Sequence, residues 1–472
     1  MAATRSIADL PGPSRLPLLG NAHQVRPSTL HSVAEDWSRR YGPVFSFNLG
    51  LRRIVCIAEL ETINAILRDR PGGFRRWREL KEGADETGLA GVFVAEGDEW
   101  RQQRRLAVTA LNSNHLNRYF HIVRTSTERL HRRLKDRAHF RVSFDIGREL
   151  SSYTVDITSA LAFGRDLNTL ERNNSVLQEH IQRVIQTSGR RLGMPVRYWR
   201  WVRLPADRAA DRSLAAIRRA VVRFIEQARV RMAEQPGLRE APENFLEGML
   251  AAQEADGLFT DDEIIGNTFT LLLAGEDTTA HTMAWTIWFL ASRPEVQAQC
   301  AQEADAVLGG ERFPVTYESV AQLRYGEAVL RESMRLKPVA PFIGVEPLAD
   351  TTVMGTHIPA GTRLLLLTRH ASLQDGGFAR ASQFDPERWT AGDDDAPLVP
   401  DPKASLPFGA GPRFCPGRNL ALLEAKSALA MITRNFEVEL DHSSGPVDEQ
   451  FSFTMIPHGL RVRLRERAGP SR

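Results

Sequence analysis

The chain of 472 residues is 42% hydrophobic and 25% charged, with a formal net charge of +3. Single cores stop growing near ~250–300 residues, so one large domain with a smaller subdomain, or two domains, is expected; the near-balanced charge gives no reason to expect nucleic acid as a partner. Cys56, Cys300 and Cys415 are the only cysteines, which excludes a disulfide framework and points to a reducing compartment. The most apolar early piece, Leu16 to Gly20, is far shorter than the ~18 residues of a membrane span, so a soluble, cytoplasmic monomer with no transmembrane anchor is expected.

Residues 1–24 form an irregular lead, with prolines at 11, 13 and 17 that exclude helix. A helix is expected over 30–40, ending at Tyr41-Gly42-Pro43. Val44 to Leu49 and Arg53 to Ile57 then read as a β-hairpin joined through Gly50. Helix returns from Glu61 to Arg70 and stops at Pro71-Gly72-Gly73. Residues 72–98 are glycine-rich and charged without a clear period, which suits either a functional lid or plain mobile surface. Gly97-Asp98-Glu99-Trp100 opens a helix on which Trp100 and Arg104 share one face. Taken alone, that pair is a packed Trp beside a solvated Arg.

From about 112 to 250 the pattern is helical, broken over 176–205 by Gly189, Gly193, Pro195 and Pro205. The break carries Tyr198, Trp199 and Trp201 among arginines. Such a mixture can stack on bases, but nothing else supports nucleic acid, and the period of a membrane-surface helix is missing. Residues 207–234 read as a basic helix with a solvated face. Thr260-Asp261-Asp262-Glu263 is a capping box that starts a long apolar helix reaching Ser292. Ala274-Gly275-Glu276-Asp277-Thr278-Thr279 is expected to interrupt or bend it, because glycine, acids and threonines are poor mid-helix choices. Ala274 and Thr278 lie on one stripe, whereas Asp277 does not face Thr278.

Residues 316–337 are helical and place Glu332 and Arg335 three apart. Val339 to Val345 is an extended apolar run, and Ile358 to Leu367 a turn followed by a buried strand. Phe408-Gly409-Ala410-Gly411-Pro412-Arg413-Phe414-Cys415-Pro416-Gly417 is a tight turn, followed by the helix formers from Arg418 onward. Most lone cytosolic cysteines are small buried hydrophobes. Cys415 instead precedes a helix N-terminus, which lowers a thiol pKa and suits an axial haem ligand. Phe451 to Pro457 and Leu460 to Leu464 read as a hairpin whose tip reaches the substrate.

Four stretches together resemble the cytochrome P-450 family, in its soluble bacterial type. Phe408, Gly411, Arg413, Cys415 and Gly417 match its FxxGxRxCxG signature, and Ala274 to Thr279 its dioxygen motif. Glu332 and Arg335 match its ExxR, and Phe384 to Trp389 its PERW stretch. The resemblance implies a mainly α fold with a small β subdomain: a disordered lead over 1–9, a single haem domain over 10–465 and a tail over 466–472.

It implies haem b held by the Cys415 thiolate, with Phe408, Gly409, Arg413, Gly417, Ala274 and Gly275 around it and Trp100 and Arg104 on a propionate. It also implies dioxygen as co-substrate, with Thr278 and Asp277 as the proton-delivery pair. Glu332, Arg335 and Arg388 would form a structural clamp. Many relatives carry a propionate-directed arginine where Val345-Glu346 stands here. Phe93, Val94, Thr270, Leu271, Phe342, Ile343, Met455 and Ile456 are the substrate-pocket candidates.

The implied reaction is hydroxylation or epoxidation of a hydrophobic small molecule (terpenoid, steroid, fatty acid or polyketide), as in secondary metabolism. Electrons from NAD(P)H would arrive through a separate ferredoxin or flavodoxin and its reductase, steered by Arg101, Arg105, Arg413 and Arg418. A peroxygenase or isomerase, and a non-catalytic haem sensor or carrier, stay open as alternatives.

Overall fold

A computed structural model describes residues 5–87, 91–172, 176–192, 194, 197–374, 377–390 and 403–467. The expected architecture is present: a predominantly helical body with a small β region. The body is organised on the 31-residue helix Asp261–Ala291, about 46 Å long at 1.5 Å per residue. The capping box starts it: Glu263 N–H donates to Thr260 Oγ1 and Thr260 N–H to Glu263 Oε2, at 3.3 and 2.7 Å. Its most extensive neighbour is helix Ile146–Phe163. The two approach closely because position 275 is glycine; a Cβ there would lie 2.5 Å from Thr158 Oγ1. The main core also takes in Phe120–His139, Arg324–Leu336 and Arg418–Asn435.

The long helix runs unbroken through 274–279, against expectation. Its polar groups are satisfied without opening the ladder. Thr278 Oγ1 donates back to the Ala274 carbonyl at 2.7 Å, and the Thr154 hydroxyl of the neighbouring helix donates to the Glu276 carbonyl at 2.9 Å.

The strands are β1 (Arg5–Ser6), β2 (Val44–Leu49), β3 (Arg52–Ile57), β4 (Phe74–Arg76), β5 (Ile343–Pro347), β6 (Thr351–Val353), β7 (Thr356–Ile358), β8 (Arg363–Leu366), β9 (Phe436–Leu440), β10 (Asp448–Phe451), β11 (Met455–His458) and β12 (Val462–Glu466). The largest sheet has the order β2-β3-β8-β5-β4, and the expected hairpin of β2 and β3 is its edge.

Several expectations change. Part of the supposed disordered lead is ordered, since β1 pairs in parallel with β7; residues 1–4 lie outside the described residues. Likewise Glu466 ends β12 and Arg467 N–H donates to the Asn435 carbonyl at 2.8 Å, so this start of the tail is tied down, while 468–472 lie outside the described residues. Residues 72–98 contain β4 and helix Arg78–Thr87 rather than one long loop, with 88–90 not described. Helix Val176–Leu192 runs through Gly189, so the expected break starts only beyond it; Gly193 and Pro195 lie outside the described residues. The basic helix Pro205–Glu234 buries a stripe that includes Ile217, Val221 and Ile225. Finally, β11 pairs with β10, whereas β12 pairs with β9. The C-terminal pattern is therefore two separate ribbons, because alternation shows a strand's faces but not its partner.

Candidate functional site

The cysteine turn is built by two glycines at positive φ. Gly409 has φ 73° and Gly411 φ 68°, and a Cβ at Gly411 would lie 2.4 Å from the Leu67 carbonyl oxygen. The turn closes with Cys415 N–H on the Phe408 carbonyl at 2.9 Å, and helix Arg418–Asn435 follows from its cap at Gly417. The expected fall in the Cys415 pKa is corrected. Burial pushes the thiol up, and this outweighs the Gly417 and Arg418 N–H groups and the nearby Arg104 and Arg76, which all favour the thiolate. A metal cation at the sulfur reverses that balance. Cys56 and Cys300 are buried in apolar surroundings that push their thiols up as well.

Beside the turn stands a cluster of cations. Arg413 donates to the Ala95 carbonyl at 2.8 Å, pairs with Glu96, and lies 4.5 Å from the Trp100 ring centroid. Arg104 lies 4.9 Å from the Phe414 ring. Arg70 is only 3% exposed; burial and Arg413 push it down to about 10, against Glu96. Arg70 Nε and Nη2, Arg104 Nη2 and Arg413 Nε are buried without a hydrogen-bond acceptor among the described residues. Buried unpaired cations are costly. The donor set therefore fits an anionic, carboxylate-bearing group such as haem, adjoining a thiol that can ligate iron.

The long helix adds an accessible stripe. Ala274 is exposed, and Thr270 and Thr278 are half-buried, in a helix whose Phe269, Leu272, Thr279 and Ala280 are buried. The Gly91 turn is pressed against the same helix, and Val92 N–H donates to Asn267 Oδ1 at 2.8 Å. This fixes Phe93, which is partly exposed, and Val94, which is buried. Leu271, Phe342, Ile343 and Ile456 are half-buried. Met455 departs from expectation. It is fully buried, its carbonyl accepts from Trp285 Nε1 at 3.0 Å, and its sulfur meets Arg369 at 3.2 Å. It serves the core rather than an open pocket.

Asp277 and Thr278 are not in contact with one another through their side chains. Asp277 Oδ1 lies 3.1 Å from His281 Nδ1, and Oδ2 accepts from Thr454 at the β10–β11 tip. Burial raises the Asp277 pKa, but His281 and Thr454 outweigh it and hold the carboxyl below its usual range. Adjacent Glu276 is buried and pushed well above the usual range by desolvation and by Asp277.

The expected trio of Glu332, Arg335 and Arg388 meets in the interior. Arg335 forks onto Glu332 at 2.9 and 2.7 Å, and Arg388 Nε donates to Glu332 Oε1 at 3.0 Å. Trp389 Nε1 and Asp385 N–H complete the carboxylate's partners at 2.9 and 3.0 Å. Arg413 does not belong among partner-steering residues, since its side chain is buried; Arg101, Arg105 and Arg418 are exposed.

Sequence reasoning missed Arg70, Arg76, Glu96, His281, Thr454 and Trp389. Trp389 stood inside a quoted motif, and His281 is one turn beyond Asp277. The others carry no local signal, because their partners come from distant strands and turns.

The family model described as Cytochrome P450 matches residues 10–464. The chain is similar to a human 25-hydroxyvitamin D-1 alpha hydroxylase, mitochondrial, at 31% identity over 97% of this chain and 92% of that protein. It is 27% identical to zebrafish cytochrome P450 27C1, over 98% and 87%. It is 26% identical to a putative cytochrome P450 CYP13A3 of Caenorhabditis elegans, over 97% and 93%. These are animal proteins, so the bacterial-type part of the resemblance gains nothing from them. The cytoplasmic expectation is corrected: the relatives whose names give a compartment, from human, rat and mouse, are mitochondrial. No helix among the described residues is long and apolar enough to cross a membrane.

Proposed function

Because the chain belongs to the cytochrome P450 family and is thereby a monooxygenase, we propose that Cys415 is its haem ligand and that Trp100, Arg104 and Arg413 hold the haem carboxylates. The observation that carries this reading is the set of buried guanidinium nitrogens left without acceptors beside the cysteine turn. When bound, haem b supplies activation of dioxygen and transfer of one oxygen atom to a C–H or C=C bond.

The protein's own residues do the rest. Gly409 and Gly411 shape the turn, and Phe408 holds the Cys415 amide so that the thiolate is presented. Ala274 keeps the long helix slim toward the haem, whereas Gly275, expected beside the haem, instead faces Thr158 of helix Ile146–Phe163 and lets that helix approach. Thr278, with its hydroxyl proton on the Ala274 carbonyl, offers its oxygen lone pairs to the cavity and orders a proton donor there. Asp277 holds a proton-exchanging carboxylate one residue away and reaches Thr278 through water. Glu332, Arg335 and Arg388 brace the fold behind the turn.

Phe93, Val94, Thr270, Leu271, Phe342, Ile343 and Ile456 present a mainly apolar surface to a hydrophobic small molecule. The name of the human relative supports hydroxylation and a steroid-like substrate over the other classes. Electrons come from a separate ferredoxin or flavodoxin with its reductase. Cys56 and Cys300 are buried and far apart in sequence, and offer no ligand set for an iron–sulfur cluster.

The test is the spectrum of the purified protein, reduced under carbon monoxide. A strongly red-shifted Soret band in the wild type, absent in Cys415→His, is the expected result. A histidine-type band in both sinks the assignment of Cys415. Soret shifts on titration with steroids, compared with fatty acids, then test the substrate class.

A further inference from the structure

Three successive residues at the tip between β10 and β11 meet three different parts of the molecule. Ser452 is pressed against helix Val176–Leu192, where a Cβ on Gly189 would lie 2.8 Å from the Ser452 carbonyl carbon and Oγ. The Phe453 ring stands 6.3 Å from the Phe93 ring and packs against the core cluster to which Phe269 and Leu272 of the long helix belong. Thr454 is buried and donates its hydroxyl to Asp277 Oδ2.

The backbone fixes where that hydroxyl stands. Ser452 N–H donates to the Thr454 carbonyl at 3.0 Å and closes the tip, and Met455 N–H donates to the Val339 carbonyl at 2.8 Å. The Met455 carbonyl accepts from Trp285 Nε1 at 3.0 Å, about two turns beyond Asp277 on the same helix. The tip is thereby held in register with the acid.

Asp277 is anchored through both oxygens. Oδ1 lies 3.1 Å from His281 Nδ1, one turn along its own helix, while Oδ2 takes the Thr454 hydroxyl. The last torsion of an aspartate is soft, so a single anchor leaves the carboxylate plane free to turn. Anchors on separate oxygens, from separate elements, fix it. A carboxylate has about four lone-pair sites, so these two contacts leave others open, and the side chain keeps 16% of its surface accessible. That open edge is where water can carry a proton toward Thr278. His281 travels with Asp277 on one helix; Thr454 is the anchor that comes from outside it.

We propose that Thr454 is a positioning residue for the reaction: through its hydroxyl the β10–β11 tip sets the plane of the Asp277 carboxylate for proton exchange toward Thr278. The assignment rests on the reading of Asp277 as the proton-exchanging acid. Phe453, one residue away, stands against Phe93 and so ties the same tip to a wall of the proposed pocket.

The experiment compares holoenzyme carrying Thr454→Val, which keeps the volume and removes the hydroxyl, with Thr454→Ser, which keeps the hydroxyl, and with Ser452→Ala at the same tip. One readout is the infrared band of the Asp277 carboxylate, identified by its loss in Asp277→Asn. The other is proton uptake by the oxygenated holoenzyme after radiolytic reduction in frozen solution, followed by electron paramagnetic resonance on stepwise warming; it needs neither substrate nor redox partner. Thr454→Val is expected to shift the band and to slow proton uptake about tenfold or more, in the range of a misplaced reacting group. Thr454→Ser and Ser452→Ala are expected to match the wild type in both. An unmoved band or wild-type uptake in Thr454→Val overturns the proposal, as does an equal change in either of the other two variants. If Thr454→Val yields no holoprotein, Thr454→Ala is read in its place against the same outcomes. The carbon monoxide spectrum separates the two readings. A thiolate band in the wild type leaves the haem ligand standing whatever Thr454 does, and its absence overturns both.

Discussion

Thr278 and Asp277 are neighbours in sequence that point apart, and each is held by something else. The Thr278 hydroxyl is engaged with its own helix, so its proton is not free to act as a donor until the local hydrogen bonds rearrange. Asp277 is kept ionised by His281 and Thr454, which outweigh burial. Thr278→Ala is expected to leave the fold and haem content intact, because the alanine keeps the helix. Product formed per NAD(P)H consumed should fall by roughly tenfold or more, in the range of a lost acid–base group. Measured with a redox chain and a turned-over ligand, unchanged coupling would remove Thr278 from proton delivery. At this scale the sequence showed the types of residue but not their contacts. Asp277, Thr278 and Cys415 stood out as candidates because they lie in dense local motifs. Met455 was misjudged because an apolar residue near a hairpin tip reads the same whether it faces a cavity or the core.

At the scale of elements, helices were legible from caps and periodicity. Thr260 and Pro294 bound the long helix within a residue or two of where the pattern placed it. Strand partners were not legible: β12 chose β9, and β4 came from a stretch without a clear alternation. Elements are also locked by single side chains. Glu332 is a buried carboxylate on helix Arg324–Leu336 that accepts from Arg335, Arg388, Trp389 and the Asp385 amide. Glu332→Ala leaves two guanidinium groups and an indole N–H without it. Removing one member of such a buried network costs about 3–5 kcal/mol. The variant is expected to purify with little or no haem and to melt earlier; a normal haem-to-protein ratio would show that the network is dispensable.

Across the whole molecule, a second ionic lock joins parts of the chain that share no motif. Arg369 forks onto Glu35 at 2.7 and 2.8 Å and reaches Glu449 at 2.8 Å; Glu449 also meets His31 at 2.9 Å and pairs with Lys337. Burial raises the Glu449 pKa, but His31, Arg369 and Lys337 hold it far below the usual carboxylate range. A depressed acid contributes stability that is present above its unfolded value of about 4.3 and lost as pH falls toward the folded value. Wild type should therefore exceed Glu449→Gln in stability by about 3 kcal/mol at pH 7. That margin should shrink steadily below about pH 4.3, as read from denaturant midpoints. A margin independent of pH would show that Glu449 acts by shape rather than charge.

The contact between Thr454 and Asp277 also has a consequence for the order in which the protein is made. Chains emerge from the ribosome N-terminus first and fold as their parts become available. The long helix, with its acid, is translated 177 residues before the hairpin tip that holds that acid, and Cys415 follows it by more than a hundred. A nascent chain can thus pack the long helix on helix Ile146–Phe163, which is made before it, but leaves Asp277 without its Thr454 partner until the last segments arrive. The Asp277–Thr454 contact therefore forms among the last steps of folding, when the C-terminal hairpin docks on a helix made long before it.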